Sequence, residues 1–347
     1  MRHLYGIVLI MKIWNYRYEG GLVTDSYVIK LTAAILAVVA LLGCNGPASD
    51  LESRKSDAES IVFDANTKVV VFVIDGPRYT ETFGDPSHTH IPHIWNDLRP
   101  QGTTLTDFRN LGQTKTNPGH TSMITGTWQQ IANDGSERPD EPTLFEYYRK
   151  TLSAPQFETY VISGKSKLEV CSYSTRADYG AAYGATESVG HASDLVVYNT
   201  LTSVLQNNQP RLVLACFPDV DLAGHSGVWD SYIAAIVGID SLAYKTWNYI
   251  QNDPFYAGQT YMFITADHGR HDDANGGFTS HGDGCEGCRH LIFMALGPNV
   301  KTGATVDYRF VQRDICKTVG EILGIPVPHA GGHVIRDIFE PAPVGIE

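Results

Sequence analysis

Five apolar runs set the rhythm of the chain. Val69-Val70-Val71-Phe72-Val73-Ile74 is an unbroken β-branched and aromatic stretch, ended by Asp75-Gly76-Pro77. A strand apolar on both faces belongs in a sheet covered on both sides. Runs of the same kind recur at Thr159–Ile162, Leu212–Phe217, Tyr261–Thr265 and Leu291–Leu296. Between them, helical periodicity covers Pro92–Leu98, Pro118–Ile124, Leu144–Leu152, Leu195–Leu205, Tyr232–Ile250 and Phe310–Leu323. Strands alternating with helices predict an α/β fold, a three-layer αβα sandwich with a mostly parallel central sheet over residues 67–342. Residues 170–200 are rich in Gly, Ser and Tyr and predict an irregular cap insertion over the site.

A further apolar stretch is of another kind. Leu31 to Gly43, after Lys30, is 13 residues long. That is short of the ~20 residues that a membrane-spanning helix needs, but suits the core of a signal peptide. Its end, Leu41-Leu42-Gly43-Cys44, resembles a bacterial lipobox. The resemblance implies removal of residues 1–43, lipidation of Cys44, and a place on the cell envelope, anchored to the membrane and facing the periplasm or exterior. The segment before Lys30 is long for a signal n-region and contains Glu19 and Asp25, which points to a translation start downstream of Met1. Residues 44–66, rich in Ser, Asp and Glu, read as a flexible tether.

Composition narrows the function classes. The 347 residues are 43% hydrophobic and 18% charged, ample for a sizeable core and unlike a disordered chain. A formal charge of −12 argues against a nucleic-acid surface. It leaves room for an anionic small substrate where a metal supplies positive charge. Six cysteines occur. Outside the cytoplasm, Cys285-Glu286-Gly287-Cys288 predicts a short local disulfide, with thiolate ligation as a weaker option; a zinc knuckle would want a second pair. Cys216 and Cys316, in apolar or helical surroundings, read as buried thiols.

The candidate chemistry lies after the strands, where open α/β sheets bind ligands. Asp75 follows the first run. Asp219, Asp221 and His225 follow the third, Asp267 and His268 the fourth, and His281 precedes the fifth. An Asp after a strand commonly closes a turn, and a lone His commonly makes a hydrogen bond. Together they supply N and O donors suited to two zinc-like ions, and so many carboxylates would repel one another without cations. Thr116, in Lys115-Thr116-Asn117-Pro118-Gly119-His120, stands at the mouth of a predicted helix. Either it caps the helix, or its hydroxyl is a nucleophile beside an anion site. His88, His90 and His93 form a looser group before a helix, read as an auxiliary site at most. His271, Asp272 and Asp273 adjoin the metal-type loop and read as supporting or solvated residues.

This set of motifs resembles the alkaline phosphatase superfamily, and most closely its nucleotide pyrophosphatase/phosphodiesterase branch, whose nucleophile motif is Thr-x-Pro-x-His. The match runs from Lys68 to Phe339. The resemblance implies two divalent ions, zinc by ligand type. Asp221, His225 and His281 would hold one, and Asp75, Asp267 and His268 the other, with Thr116 alongside as nucleophile. The family's Asp-x-x-Gly-His spacing selects Asp221 and leaves Asp219 as a turn residue. It implies attack by Thr116 on a phosphate ester and a covalent phosphothreonine that water releases. For substrate binding it suggests the backbone N–H after Thr116 and Asn133, which stands 17 residues past Thr116 on a shortened loop. Lys165 and Lys167 stand where some members carry a Lys-x-Arg clamp; solvated lysines on a surface turn are the other reading.

The expected function is hydrolysis of a small phosphate ester, as phosphatase or phosphodiesterase. Tyr173, Tyr179 and Tyr183 could line a slot for a second ester substituent. Alternatives are a sulfatase-like or phosphonate-hydrolysing member of the superfamily, or a non-catalytic ligand-binding surface lipoprotein. Sulfatases oxidise Cys or Ser in Cys/Ser-x-Pro-x-Arg; here Thr116 and His120 occupy those places.

Overall fold

The structure, a computed structural model, describes residues 64 and 66–341. The readings that fall on Cys44, the signal segment and nearly all of the tether lie outside the described residues. No described helix is long and apolar enough to cross a membrane.

The first apolar run forms β1 (Lys68–Ile74), buried at every position. It pairs in parallel with β6 (Leu212–Phe217) on one side and β7 (Thr260–Ala266) on the other. Beyond β6 lie β4 (Thr159–Ser163) and the edge strand β5 (Thr186–Val189), also parallel. Beyond β7 lie β9 (Phe293–Leu296), β2 (Gly102–Leu105) and β10 (Ala304–Val306), completing an eight-stranded sheet. Only β9 runs against its neighbours in this sheet. The run Leu291–Leu296 is therefore not one strand. It breaks at Ile292, and its first part, β8 (His290–Leu291), joins β3 (Phe108–Arg109) and β11 (Phe310–Val311) in a small second sheet.

Helices cover both faces. They are α1 (Thr116–Thr125), α2 (Leu144–Leu152), α3 (Asp194–Asn208), α4 (Asp219–His225), α5 (Trp229–Asn252), α6 (Glu286–Arg289) and α7 (Asp314–Ile322). The expected helix over Phe310–Leu323 starts as β11 and becomes helical at Asp314. All ten residues of α1 are buried, so its polar residues must find partners inside the protein.

Register fixes where the chemistry gathers. Ile74 pairs with both Phe217 and Ala266, and Ser163 with Cys216. The residues that follow these parallel strands therefore leave the sheet at one edge and one level.

Residues 170–200 are irregular only in part, with bends and turns over 172–179 and 190–193. They also form 3-10 turns, the edge strand β5 and the start of α3. Buried Glu146 of α2 accepts from Ser174 N–H and Oγ and from Gly180 N–H, which ties this stretch to α2. The proposed aromatic slot is otherwise engaged: Arg138 lies over Tyr173, and Lys150 over Tyr179 and Tyr183.

Candidate active site

Thr116 is the first residue of α1. The preceding residue, Lys115, is extended and makes no side-chain cap. The free N–H of Asn117 is taken by Asn133 Oδ1 at 2.9 Å, so Asn133 does the capping. Lys167 Nζ in turn donates to the Asn133 carbonyl (3.0 Å), and Asn117 Nδ2 to the Lys167 carbonyl (3.1 Å). Asn133 and Lys167 thus brace the helix mouth, and the N–H after Thr116 is already in use. Gly119 lets α1 press on the loop after β7: a Cβ there would lie 2.4 Å from the Asp267 carbonyl oxygen.

Around Thr116 the strand-end residues converge. Its Oγ1 lies 3.5 Å from His268 Nε2. That nitrogen is 3.4 Å from both Asp75 Oδ1 and Asp267 Oδ2. A second group shares Asp221 Oδ1, which lies 3.3 Å from His225 Nε2 and 3.6 Å from His281 Nε2; the two imidazole nitrogens are 3.3 Å apart. Asp221 also lies close enough to Asp75 and His268 to serve both groups. Asp75, Asp221, His225, His268 and His281 therefore fall in two adjoining donor groups, and Asp267 meets the inner one only at His268.

Three observations test whether cations fit. Each histidine points Nδ1 at a backbone carbonyl: His225 at Thr279 (3.1 Å), His268 at Gly269 (2.9 Å) and His281 at Thr114 (2.9 Å). A carbonyl only accepts, so Nδ1 carries the proton and a neutral ring turns its Nε2 lone pair inward. His225 and His281 then face each other lone pair to lone pair, an arrangement that a shared cation resolves. Second, Asp75 Oδ1 and Asp267 Oδ2 are buried without a hydrogen-bond partner. Third, bonds of ~2.0–2.3 Å to a tetrahedral zinc put neighbouring donors roughly 3.3–3.8 Å apart. The imidazole–carboxylate and imidazole–imidazole separations given above, 3.3–3.6 Å, agree with that.

The electrostatics follow burial. Burial, with Asp267 beside it, holds the Asp75 carboxyl well above its ordinary range. Burial opposes ionisation of Asp221 and Asp267 too. It is outweighed at Asp221 by the cations Lys165 and Arg270, and at Asp267 by His120 together with Lys165. Burial pushes His268 down to about 3 and lowers His281, so both rings are neutral near pH 7.

Several residues take places that the sequence pattern does not show. Lys165 is not a solvated surface lysine. Its Nζ sits between Asp75 Oδ2 (2.7 Å) and Asp221 Oδ2 (2.5 Å). Burial alone would lower its pKa, but the two carboxylates hold it above the ordinary lysine value. Arg270, fully buried, donates to Asp221 Oδ1 and to the carbonyls of Phe278 and Thr279. Its only sequence signal is its place in the Asp-His-Gly-Arg loop. His120 Nδ1 contacts the Thr116 carbonyl (2.9 Å) and Asp267 Oδ2 (3.3 Å). Asp219 is structural as expected: it and Asp194 accept each other's backbone N–H at the starts of α4 and α3. The His88–His93 group does not form a metal cluster; His88 stacks on Trp95 and His93 on Tyr244. Cys285 and Cys288 are free thiols, so the expected disulfide is absent.

With these elements in place, the chain is an αβα protein whose central sheet gathers a buried hydroxyl, carboxylates and imidazoles at one edge. No family model and no curated protein matches the sequence. Solved structures do match. A 2-O GAG sulfatase superposes with a TM-score of 0.59 at 12% identity, over 78% of this chain and 73% of its own. A phosphonate monoester hydrolase from Silicibacter pomeroyi gives 0.58 at 13%, over 79% and 76%. A protein of the alkaline phosphatase superfamily from Vibrio parahaemolyticus gives 0.57 at 13%, over 79% and 71%. The chain shares the alkaline-phosphatase-like fold of these proteins.

Proposed function

We propose that the protein is a metal-dependent hydrolase of phosphate esters with Thr116 as nucleophile. The observation that carries this reading is the position of the Thr116 hydroxyl, on the first turn of a buried helix and 3.5 Å from His268 Nε2, beside two clusters of inward-facing donors. Asp221, His225 and His281 would hold one divalent ion, and Asp75, Asp267 and His268 the other; the donor set suits zinc. When bound, such ions supply Lewis acidity at the Thr116 oxygen and at the phosphoryl oxygens.

The chain's own residues do the rest. Helix α1, braced by Asn133 and Lys167, fixes the Thr116 oxygen in one place. That oxygen gives up its proton to solvent and forms a bond to phosphorus as the bond to the leaving oxygen breaks, and the leaving oxygen takes up a proton from solvent. Water then displaces the phosphoryl group from the threonine. Lys165 offsets the charge of Asp75 and Asp221, so an anionic substrate meets less repulsion. The lipid anchor on Cys44 and the envelope location belong to this proposal and rest on residues 31–44 alone.

A second reading, hydrolysis of sulfate or phosphonate esters at the same threonine, is favoured by the sulfatase and the phosphonate monoester hydrolase among the structural neighbours. One substrate panel separates the readings: p-nitrophenyl phosphate, a phosphate diester, a phosphonate monoester and p-nitrophenyl sulfate, each tested with zinc-loaded protein. The proposal expects the phosphate esters to turn over fastest. Thr116→Ala should lower that turnover by at least ~10³-fold while leaving the metal content unchanged. Persistent turnover by the variant would remove Thr116 from its role, and zinc binding without turnover of any ester would favour a binding protein.

A further inference from the structure

Beside the candidate active site stands a four-donor cluster that the proposed reaction does not use. His271 Nδ1 lies 3.3 Å from Cys288 Sγ, 3.5 Å from Cys285 Sγ and 3.2 Å from Asp283 Oδ1. All four donor atoms lie within 4.8 Å of one another. We propose that His271, Asp283, Cys285 and Cys288 bind a structural zinc ion of their own, distinct from the ions of the proposed active site.

Donor chemistry, spacing and closure carry this. Two thiolates with an imidazole favour zinc over the hard cations. The three separations from His271 Nδ1 come within about 0.1 Å of the roughly 3.3–3.8 Å edge of a tetrahedral zinc site. One Nδ1 atom, facing two sulfurs and a carboxylate oxygen, can place a proton toward only one of them, whereas an ion at the centre satisfies all four donors. Cys288 is buried, and the His271 side chain is only 14% exposed. Four protein donors make a closed site of the structural kind. The cluster of Asp221, His225 and His281 offers three and leaves a position open.

The surrounding backbone is already arranged for such a clip. Gly269 N–H donates to the Cys288 carbonyl at 2.9 Å, and Cys285 N–H to Asp283 Oδ1 at 2.9 Å. The turn at Gly287 sits so close to the next loop that a Cβ there would lie 2.4 Å from the Arg270 carbonyl oxygen. An ion here joins the loop that carries Asp267 and His268 to the loop that carries His281. Binding deprotonates both thiols and releases two protons to solvent; with the carboxylate and a neutral imidazole, the loaded site carries one negative charge.

The test is cobalt(II) titration of the full chain, reduced and stripped with chelator under anaerobic conditions. The inference expects an intense near-ultraviolet thiolate-to-cobalt charge-transfer band. Cys285→Ser/Cys288→Ser should abolish that band, His271→Ala should weaken it, and zinc should displace the cobalt and bleach it. Cobalt uptake without a thiolate band overturns the inference. So does a Cys285–Cys288 disulfide found by mass spectrometry in protein isolated without reductant. The proposed active-site ligands contain no sulfur, so this band reports the new site whether or not the protein hydrolyses any ester.

Discussion

The two halves of the candidate active site share Asp221 and differ in burial. Asp75, Asp267 and His268 have no exposed side-chain surface, whereas the His225 side chain is 46% exposed. Both halves present an imidazole Nε2 to a carboxylate, yet they suit different tasks. Burial strengthens every charge interaction in the inner half and leaves Asp75 Oδ1 and Asp267 Oδ2 without a hydrogen bond, which suits a tightly held ion next to the proposed nucleophile. The outer half keeps one donor, His225, in reach of solvent while Asp221 and His281 stay largely covered, which suits an ion at the mouth of the site.

The largest expected effect that separates the halves is at Lys165. Lys165→Met keeps the aliphatic length but leaves Asp75 Oδ2 and Asp221 Oδ2 without their cation. Breaking a buried pair on one side should lower the stability of metal-free protein by about 3–5 kcal/mol in a urea titration. Saturating zinc should restore part of that loss. Unchanged stability without metal would mean that the inner half does not depend on its lysine.

Next comes His225, on the exposed side. His225→Ala should weaken binding of one ion by at least ~100-fold in a competition titration, with the second ion retained. Its effect on metal-free stability should stay below about 1 kcal/mol, as for other half-exposed positions. Equal loss of both ions would mean that the halves do not load separately.

The smallest effect is a control in a buried acid outside the clusters. Burial raises Asp194 from its ordinary value to about 7. The folded state then holds a proton that the unfolded state has released, so its contribution is fully present below about pH 4 and is lost as pH rises through 7. Asp194→Asn keeps the cap acceptor for Asp219 N–H and removes this titration. Its stability relative to the parent should improve by about 2 kcal/mol between pH 5 and pH 8. A flat difference across that range would remove the titration from Asp194.

Much of this arrangement was legible in the chain because burial leaves a local signal. β1, β6 and β7 are unbroken apolar runs, and each ends where an Asp or a turn begins. The inner strand β2 and the edge strand β5 leave no such mark, because Gly102-Thr103-Thr104-Leu105 and Thr186-Glu187-Ser188-Val189 carry no apolar run. The reversed direction of β9 has no sequence signature, since a doubly covered strand looks alike both ways. α4 reads as a ligand loop in the sequence because its seven residues are mostly polar or small. The inward turn of Lys165 depends on two carboxylates distant in sequence, which a local pattern cannot show. The Cys-x-x-Cys motif pointed to a disulfide because His271 and Asp283 join it only through the folding of two loops.

The central claim is that Thr116 carries the phosphoryl group, and acid quenching tests it most directly. Zinc-loaded protein, mixed with a turning-over phosphate ester and quenched within one turnover, should yield a phosphoryl adduct on the peptide containing Thr116 by mass spectrometry. Thr116→Ala should yield none. Steady turnover with no adduct on that peptide, or an adduct on another residue, would contradict the account.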